Sequence, residues 1–228
     1  MALRLAEVAP RDYTYVCTPT GNEPDEMFAH WKRIGELLGK PLVPVVGGTL
    51  KGLITKQNAL PNWRQRWCTR MLKIEPYAAW LLKQTERHDR VFSYVGLRAD
   101  EAEREGGDYS KVPGVEAVFP MREWGWGLKE VWAYLGDKGI TVPKRTDCAL
   151  CFYQRLAEWW ELWHEQPDKW AEGEALEELT GHTFRSPGRD SWPASMRELR
   201  ERFEAGDRPK GAGQRDLMKD MQCRVCRL

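Results

Sequence analysis

Between Tyr13 and Gly139 the chain alternates short apolar runs with amphipathic helical segments, and few folds accommodate that order. In YTYVCTPTG, β-branched and aromatic residues lead into a Pro/Gly turn, so a strand ends near Cys17. PDEMFAHWKRIGELLGK follows. Pro24 suits a first helical turn, Met27, Trp31, Ile34 and Leu38 share one face, and Gly39 stops the helix. PLVPVVGG is a second short run, interrupted by Pro44. WCTRMLKIEPYAAWLLKQ reads as a helix in two pieces broken before Pro76. RVFSYVGLRADE is a buried-type strand emptying into a charged loop, and VEAVFPM is a shorter one. GLKEVWAYLGDKG then places Leu128, Val131, Trp132 and Leu135 on one helical face. This alternation predicts an α/β layer fold with a mostly parallel sheet and helices on both faces.

From Gln154 onward the pattern is helical, in RLAEWWELWHEQ, EGEALEELTG and ASMRELRERFEAG. GDRPKGAGQRD has the composition of a flexible linker. The expected organisation is an α/β domain over 1–146, a Cys-containing helical region over 147–205 and a flexible tail over 206–228 ending in C-x-x-C. The 228 residues suffice for one domain with such appendages. With 35 Lys and Arg against 34 Asp and Glu, the chain offers no bulk field for nucleic acid or membrane, although a local patch stays open. No apolar run spans a bilayer and MALRLAEVAP lacks the features of a signal peptide, so no membrane partner and a cytoplasmic location are expected.

In a cytosolic chain, six cysteines point to ligands, redox centres or core fillers more than to disulfides. Cys17 and Cys68 stand alone, while Cys148 with Cys151 and Cys223 with Cys226 form two C-x-x-C pairs. The two pairs supply four thiolates, but they lie much further apart than in a compact zinc ribbon. Spacing alone leaves an iron-sulfur cluster, structural zinc and a redox pair open. In open parallel sheets the ligand crevice lies beyond the carboxyl ends of the strands. The loop TPTGNEPDE places Thr18, Thr20 and Gly21 there, where hydroxyls and backbone can approach a ribose or base; its plain alternative is an ordinary turn. The loop GLRADEAERE crowds Arg98, Asp100, Glu101 and Arg104, a set suited to phosphate or sulfate or, more simply, a solvated charge run. Around Cys68, Arg64, Arg66, Arg70 and Lys73 are cations of the kind that lower a thiol's pKa; the plain alternative is a small core residue under a basic helix face. The 12 tryptophans include several in polar surroundings, as in NWRQRW and EWWELW, where they pack loops or stack on bases; helical spacing makes those after Cys151 core.

Taken in order, TPTGNEPDEMFAHW, RWCTRMLKIEP, YVGLRADEAERE, FPMREWGWGLKEVWAYL and VPKRTDCALCFYQRLAEWWEL resemble the phosphoadenosine phosphosulfate reductase-like family of the adenine nucleotide alpha-hydrolase superfamily, in its phage and bacterial-island form. The resemblance covers roughly Met1 to Leu179 and is more specific to superfamily than to substrate. It implies a Rossmann-like sheet binding an adenine nucleotide, with Thr20, Gly21, Asn22 and Glu23 near the nucleotide and Thr18 and Lys73 in the same binding set. Arg98, Asp100 and Arg104 would sit at the phosphate or sulfate end. It also implies a four-iron four-sulfur cluster on Cys68, Cys148 and Cys151, preferred over zinc. The fourth ligand is open: relatives carry adjacent paired cysteines where this chain has Trp67 and Cys68. Cys226 or Cys223 fills that vacancy, or the tail pair acts as the mobile thiol that attacks sulfur or delivers electrons.

Family members place a Ser-Gly-Gly-x-Asp-Ser phosphate loop after their first strand, and this sequence contains none. MALRLAEVA resembles the helix that follows that loop, and Gly47-Gly48 is no substitute because it lacks the serine and aspartate. Either the loop is encoded upstream of Met1 or the chain is a natural remnant. Loss of an internal strand leaves unpaired edges, so an incomplete sheet, weak folding or a partner chain, a homo-oligomer included, is expected. The expected function is a reductase-like enzyme acting on an adenylylated or sulfated nucleotide with a thiol electron donor. Two alternatives stand beside it: sulfur transfer to a nucleic acid acceptor, and a non-catalytic metal-stabilised binding module.

Overall fold

Four strands form where the sequence places them, but they pair in twos. In this computed structural model, which describes residues 1–104 and 109–213, β1 (Val16–Cys17) runs parallel to β2 (Val43–Pro44), and β3 (Val91–Tyr94) runs parallel to β4 (Val115–Val118). The fold is therefore α/β with two small parallel sheets, and among the described residues no ladder joins the pairs into one extended sheet. The bonds to β1 come from the Val43 and Val45 N–H groups, so the N–H that Pro44 lacks belongs to the outer edge of β2, where no further strand can receive it.

Helices separate the strands. α1 (Ala2–Val8) buries Leu5 and packs on α2 (Asp25–Leu38). Pro24 is the residue before the first turn of α2, Asp25 and Glu26 stabilise its positive end, and Gly39 closes it at φ 66°. Met27 is buried, with Trp31, Ile34 and Leu38 half-buried beside it, as the periodicity required. α3 (Leu50–Gln57) was not anticipated, although Thr49 caps it by accepting the Gly52 N–H at 3.0 Å.

The expected break before Pro76 is absent. α4 (Trp67–Thr69) continues through a π-helical turn, Arg70–Ile74, into α5 (Glu75–Thr85). Pro76 lies in the first turn of α5, where its missing N–H interrupts little, and the wide turn precedes it. Gly47 explains how chain and helix approach here: a Cβ would stand 2.7 Å from the Met71 carbonyl oxygen. Gly47-Gly48 thus serves close packing.

α6 (Pro120–Glu123) and α7 (Leu128–Asp137) follow β4, and the remainder is helical: α8 (Leu156–Glu165), α9 (Pro167–Thr180) and α10 (Met196–Glu204). The largest apolar cluster gathers these three helices with α3, α4, Ala149 and Leu150. Trp159, Met196 and Leu199 are fully buried in it. The tryptophan helix is core, as its spacing indicated. The linker-like stretch is packed up to Gly213: Arg208 lies over the Trp160 ring at 4.7 Å, and Pro209 and Ala212 are buried. No helix among the described residues is long and apolar enough to cross a membrane.

Candidate thiol site

The loop after β1 is built as a bracket for the segment that carries Cys148. Thr20 donates both its N–H and its hydroxyl to Glu23 Oε1, each at 2.7 Å, which curls the loop on itself. Gly21, at φ 72°, lies against Thr49, where a Cβ would meet the threonine methyl at 2.9 Å. Asn22 faces the distant segment: its backbone carbonyl accepts the Ala149 N–H at 2.7 Å and its Oδ1 accepts the Leu150 N–H at 2.9 Å. Thr20, Asn22 and Glu23 are all buried, so these bonds are shielded from water.

Thr20 Oγ1 stands 3.2 Å from Cys148 Sγ, joining residues 128 positions apart in sequence. Because the one hydroxyl proton of Thr20 is directed at Glu23, the neutral Cys148 thiol donates to Thr20 Oγ1. Cys148 and Cys151 bracket a tight turn in which the Cys151 N–H donates to the Cys148 carbonyl at 3.2 Å. Gln154 closes it, donating to the Ala149 carbonyl at 2.6 Å and accepting from Arg145 at 2.7 Å. On the other side, Glu26 of α2 accepts the Lys144 and Arg145 N–H groups at 3.1 and 3.0 Å. Arg145, Gln154 and Glu26 were missed by motif reading, although two of them flank the cysteines in RTDCALCFYQ.

Burial dominates the thiols. It pushes Cys151 up to about 12, with Asp147 adding to the effect. It also raises Cys68, with Cys148 the next contributor, and Cys17, with Glu23 next. The expectation that cations would depress Cys68 is corrected here: Lys73 is the smallest of its influences, and desolvation outweighs it. Cys148 thus lies within electrostatic reach of both Cys68 and Cys151. Among the described residues, no group of three or more His, Cys, Asp or Glu is arranged to hold a metal ion. Cys223 and Cys226 lie outside the described residues.

Several buried polar atoms around these thiols find no hydrogen-bond partner among the described residues: Glu23 Oε2, Arg145 Nε and Nη2, Arg66 Nε and Trp67 Nε1. Arg66 lies over the Tyr153 ring at 5.5 Å, and before it Arg64 stacks at 4.7 Å on the half-exposed Trp63. Thr18 and Lys73 lie elsewhere, lining a groove of about 610 Å³ between β1 and β3.

Arg98, Asp100 and Arg104 form a network of their own. Arg98 donates to Asp100 at 2.8 Å, Arg104 to the buried Glu101 at 3.1 Å, and Arg122 to the carbonyls of Glu101 and Arg104. Asp100 accepts the Leu128 N–H at 3.0 Å, starting α7. Burial works against its charge, but the Leu128 N–H and Arg98 outweigh it and hold the carboxyl low. The partners described for this network lie in its own loop and at α6 and α7.

No family model, curated protein or solved structure matches the chain.

Proposed function

We propose that this chain is a phosphoadenosine phosphosulfate reductase-like enzyme acting on an adenylylated or sulfated nucleotide, with its two strand pairs as parts of one Rossmann-like sheet. The carrying observation is the Thr20–Cys148 contact, which brings a strand-end loop, a C-x-x-C turn and Cys68 together from three distant segments. The resemblance favours a four-iron four-sulfur cluster over zinc, and thiolate donors suit either. Cys68, Cys148 and Cys151 are partly buried sulfurs, and the unpartnered Arg145 nitrogens beside Cys151 would balance an anionic thiolate centre. Cys226 is the proposed fourth ligand. When bound, such a group supplies a polarisable, electron-carrying centre beside the substrate. Cluster assembly would also have to draw the sulfurs together, since they are not preset at ion-binding spacing.

The chain's own residues carry the rest. Thr18 and Lys73, which line the groove between β1 and β3, would contact the nucleotide directly. Thr20, Asn22 and Glu23, buried and bonded to one another and to the cysteine turn, would with Gly21 shape the loop beside it. Arg98 with Arg104 would hold its anionic end, Asp100 fixing the Arg98 fork. The thiolate of Cys223 attacks the sulfonate sulfur; the S–S bond forms as the bond from sulfur to phosphate oxygen breaks, and the nucleotide leaves with the electron pair. An external dithiol then displaces sulfite and is oxidised to a disulfide, returning the cysteine thiol. The test is anaerobic incubation with adenylyl sulfate and a dithiol. Sulfite and adenosine monophosphate should appear in equal amounts and vanish in Cys223→Ser; full activity in that variant, or none in the iron-loaded protein, overturns the reading.

A second reading is favoured by one feature: the Trp63–Arg64 stack and the Arg66–Tyr153 stack sit just before Cys68, as a stacking platform for single-stranded nucleic acid would. It predicts ATP-dependent sulfur transfer to a nucleic acid, with binding lost in Trp63→Ala and steeply reduced by salt.

A further inference from the structure

Arg145 is a buried cation whose described hydrogen bonds use one of its three side-chain nitrogens. The residue is 9 % exposed. Its Nη1 donates to Gln154 Oε1 at 2.7 Å and stands 3.8 Å from Glu158 Oε1, whereas Nε and Nη2 find no hydrogen-bond partner among the described residues. Bare N–H groups on a buried guanidinium are costly. Lys144, one residue earlier, makes the contrast: its side chain is 55 % exposed and its ammonium pairs with Glu165 at 3.0 Å. Of these two neighbouring cations, Arg145 is the one kept from water with donors to spare.

The guanidinium is positioned from the cysteine turn itself. The Gln154 N–H donates to the Cys151 carbonyl at 3.1 Å and its side-chain amide to the Ala149 carbonyl at 2.6 Å, which fixes Gln154 Oε1 on the C-x-x-C turn and Arg145 Nη1 with it. From the other side, Glu26 of α2 holds the Arg145 backbone N–H at 3.0 Å. The Arg145 charge favours a thiolate at Cys151, against burial and Asp147. Asp147 and Glu158 offset that charge at long range, so what Arg145 adds is direction, two donor nitrogens in one plane.

We propose that Arg145 donates from Nε and Nη2 to the anionic sulfur centre held by Cys148 and Cys151, that Gln154 positions the guanidinium for it, and that this pair sets the reduction potential of the centre. The inference rests on the iron-sulfur reading above and goes beyond it by naming the residues that tune the centre. Reduction adds negative charge to the sulfurs, which N–H donors stabilise, so the Arg145 fork raises the potential.

The test is a one-electron redox titration of the iron-loaded full chain, followed by electron paramagnetic resonance, in the wild type, Arg145→Gln, Arg145→Lys, Gln154→Glu and Lys144→Gln. Arg145→Gln should shift the equilibrium toward the oxidised form by about tenfold or more, a potential lower by at least about 59 mV. Arg145→Lys keeps the charge and loses the planar fork, so it should recover only part of that shift. Gln154→Glu should move the potential in the same direction, because its carboxylate draws the guanidinium to itself. Lys144→Gln removes an equal charge at an exposed site and should change the equilibrium less than about threefold.

An unchanged potential in Arg145→Gln with iron still bound overturns the inference. So does an equal shift in Lys144→Gln, which would assign the effect to bulk charge, or an unchanged potential joined to a raised KM for adenylyl sulfate, which would assign the fork to the substrate's anion. If Arg145→Gln loses its iron, wild-type potentials in both Arg145→Lys and Gln154→Glu overturn it. A wild-type chain that takes up no iron or sulfide sinks the iron-sulfur reading and the inference with it, and the iron content tells that failure from the others.

Discussion

Trp159 and Phe92 are both large aromatic residues on regular elements, yet the first is fully buried and the second is 40 % exposed. Each represents its region. The helices around Trp159 close on one another: α8, α9 and α10 share a core with Leu150, and Glu177 ties the loop at Phe184 and the start of α10 to α9 by accepting the Phe184 and Met196 N–H groups at 2.9 and 2.7 Å. The strands around Phe92 end at open edges facing a cleft. Helices satisfy their backbone internally, whereas a strand depends on neighbours. Among the described residues, one region closes on its own core, and the other ends at strand edges with no second strand beside them.

The sharpest way to break this contrast is Trp159→Ala, which should cost about 3–5 kcal/mol in chemical denaturation because the fully packed core cannot collapse around the hole. A loss below about 1 kcal/mol would show the helical region to be loose. Next comes Asn22→Ala, which leaves the buried Leu150 N–H unbonded and should cost about 1–3 kcal/mol. It should also lower metal retention, since Asn22 is the clamp between the β1 loop and the cysteine turn.

Glu177 gives a third test. Burial raises its carboxyl from 4.5 to about 7, against the pull of the Met196 and Phe184 N–H groups. The folded state then holds the proton more tightly than the unfolded chain, so this contribution is full below about pH 4.5 and lost as pH rises through about 7. Thermal melts should show declining stability from pH 5 to 8, and Glu177→Gln should flatten that slope while costing about 1 kcal/mol for one lost hydrogen bond. The smallest effect is expected at the open edge: Phe92→Thr should change stability by less than about 1 kcal/mol, because the ring is poorly covered.

The same contrast governs what the sequence discloses. α2, α7, α8, α9 and α10 were legible because their periodicity, Pro24 and Gly39 are local signals. The four strand positions were legible from RVFSYV and its counterparts, but their pairing in twos was not, since pairing depends on which edges meet in space. The π turn before Pro76 also escaped. Gly47 passes close over Met71 there, a contact between separate segments that local sequence does not show. At the thiol site, the cysteines stood out in the sequence, but Thr20, Asn22 and Glu23 were expected at a nucleotide and not as a bracket for Cys148, and Arg145 and Gln154 had no role until the turn at Cys148 gave them one. Cys68 shows the opposite failure: neighbouring cations in the sequence promised a lowered pKa, and burial reversed the sign.

The most direct measurement is iron, acid-labile sulfide and zinc in the full chain purified anaerobically, compared with Cys68→Ser and Cys148→Ser. The account predicts about four iron and four sulfide per chain, lost in both variants while the helical region still unfolds cooperatively. Stoichiometric zinc without sulfide, or iron retained unchanged in both variants, would contradict it.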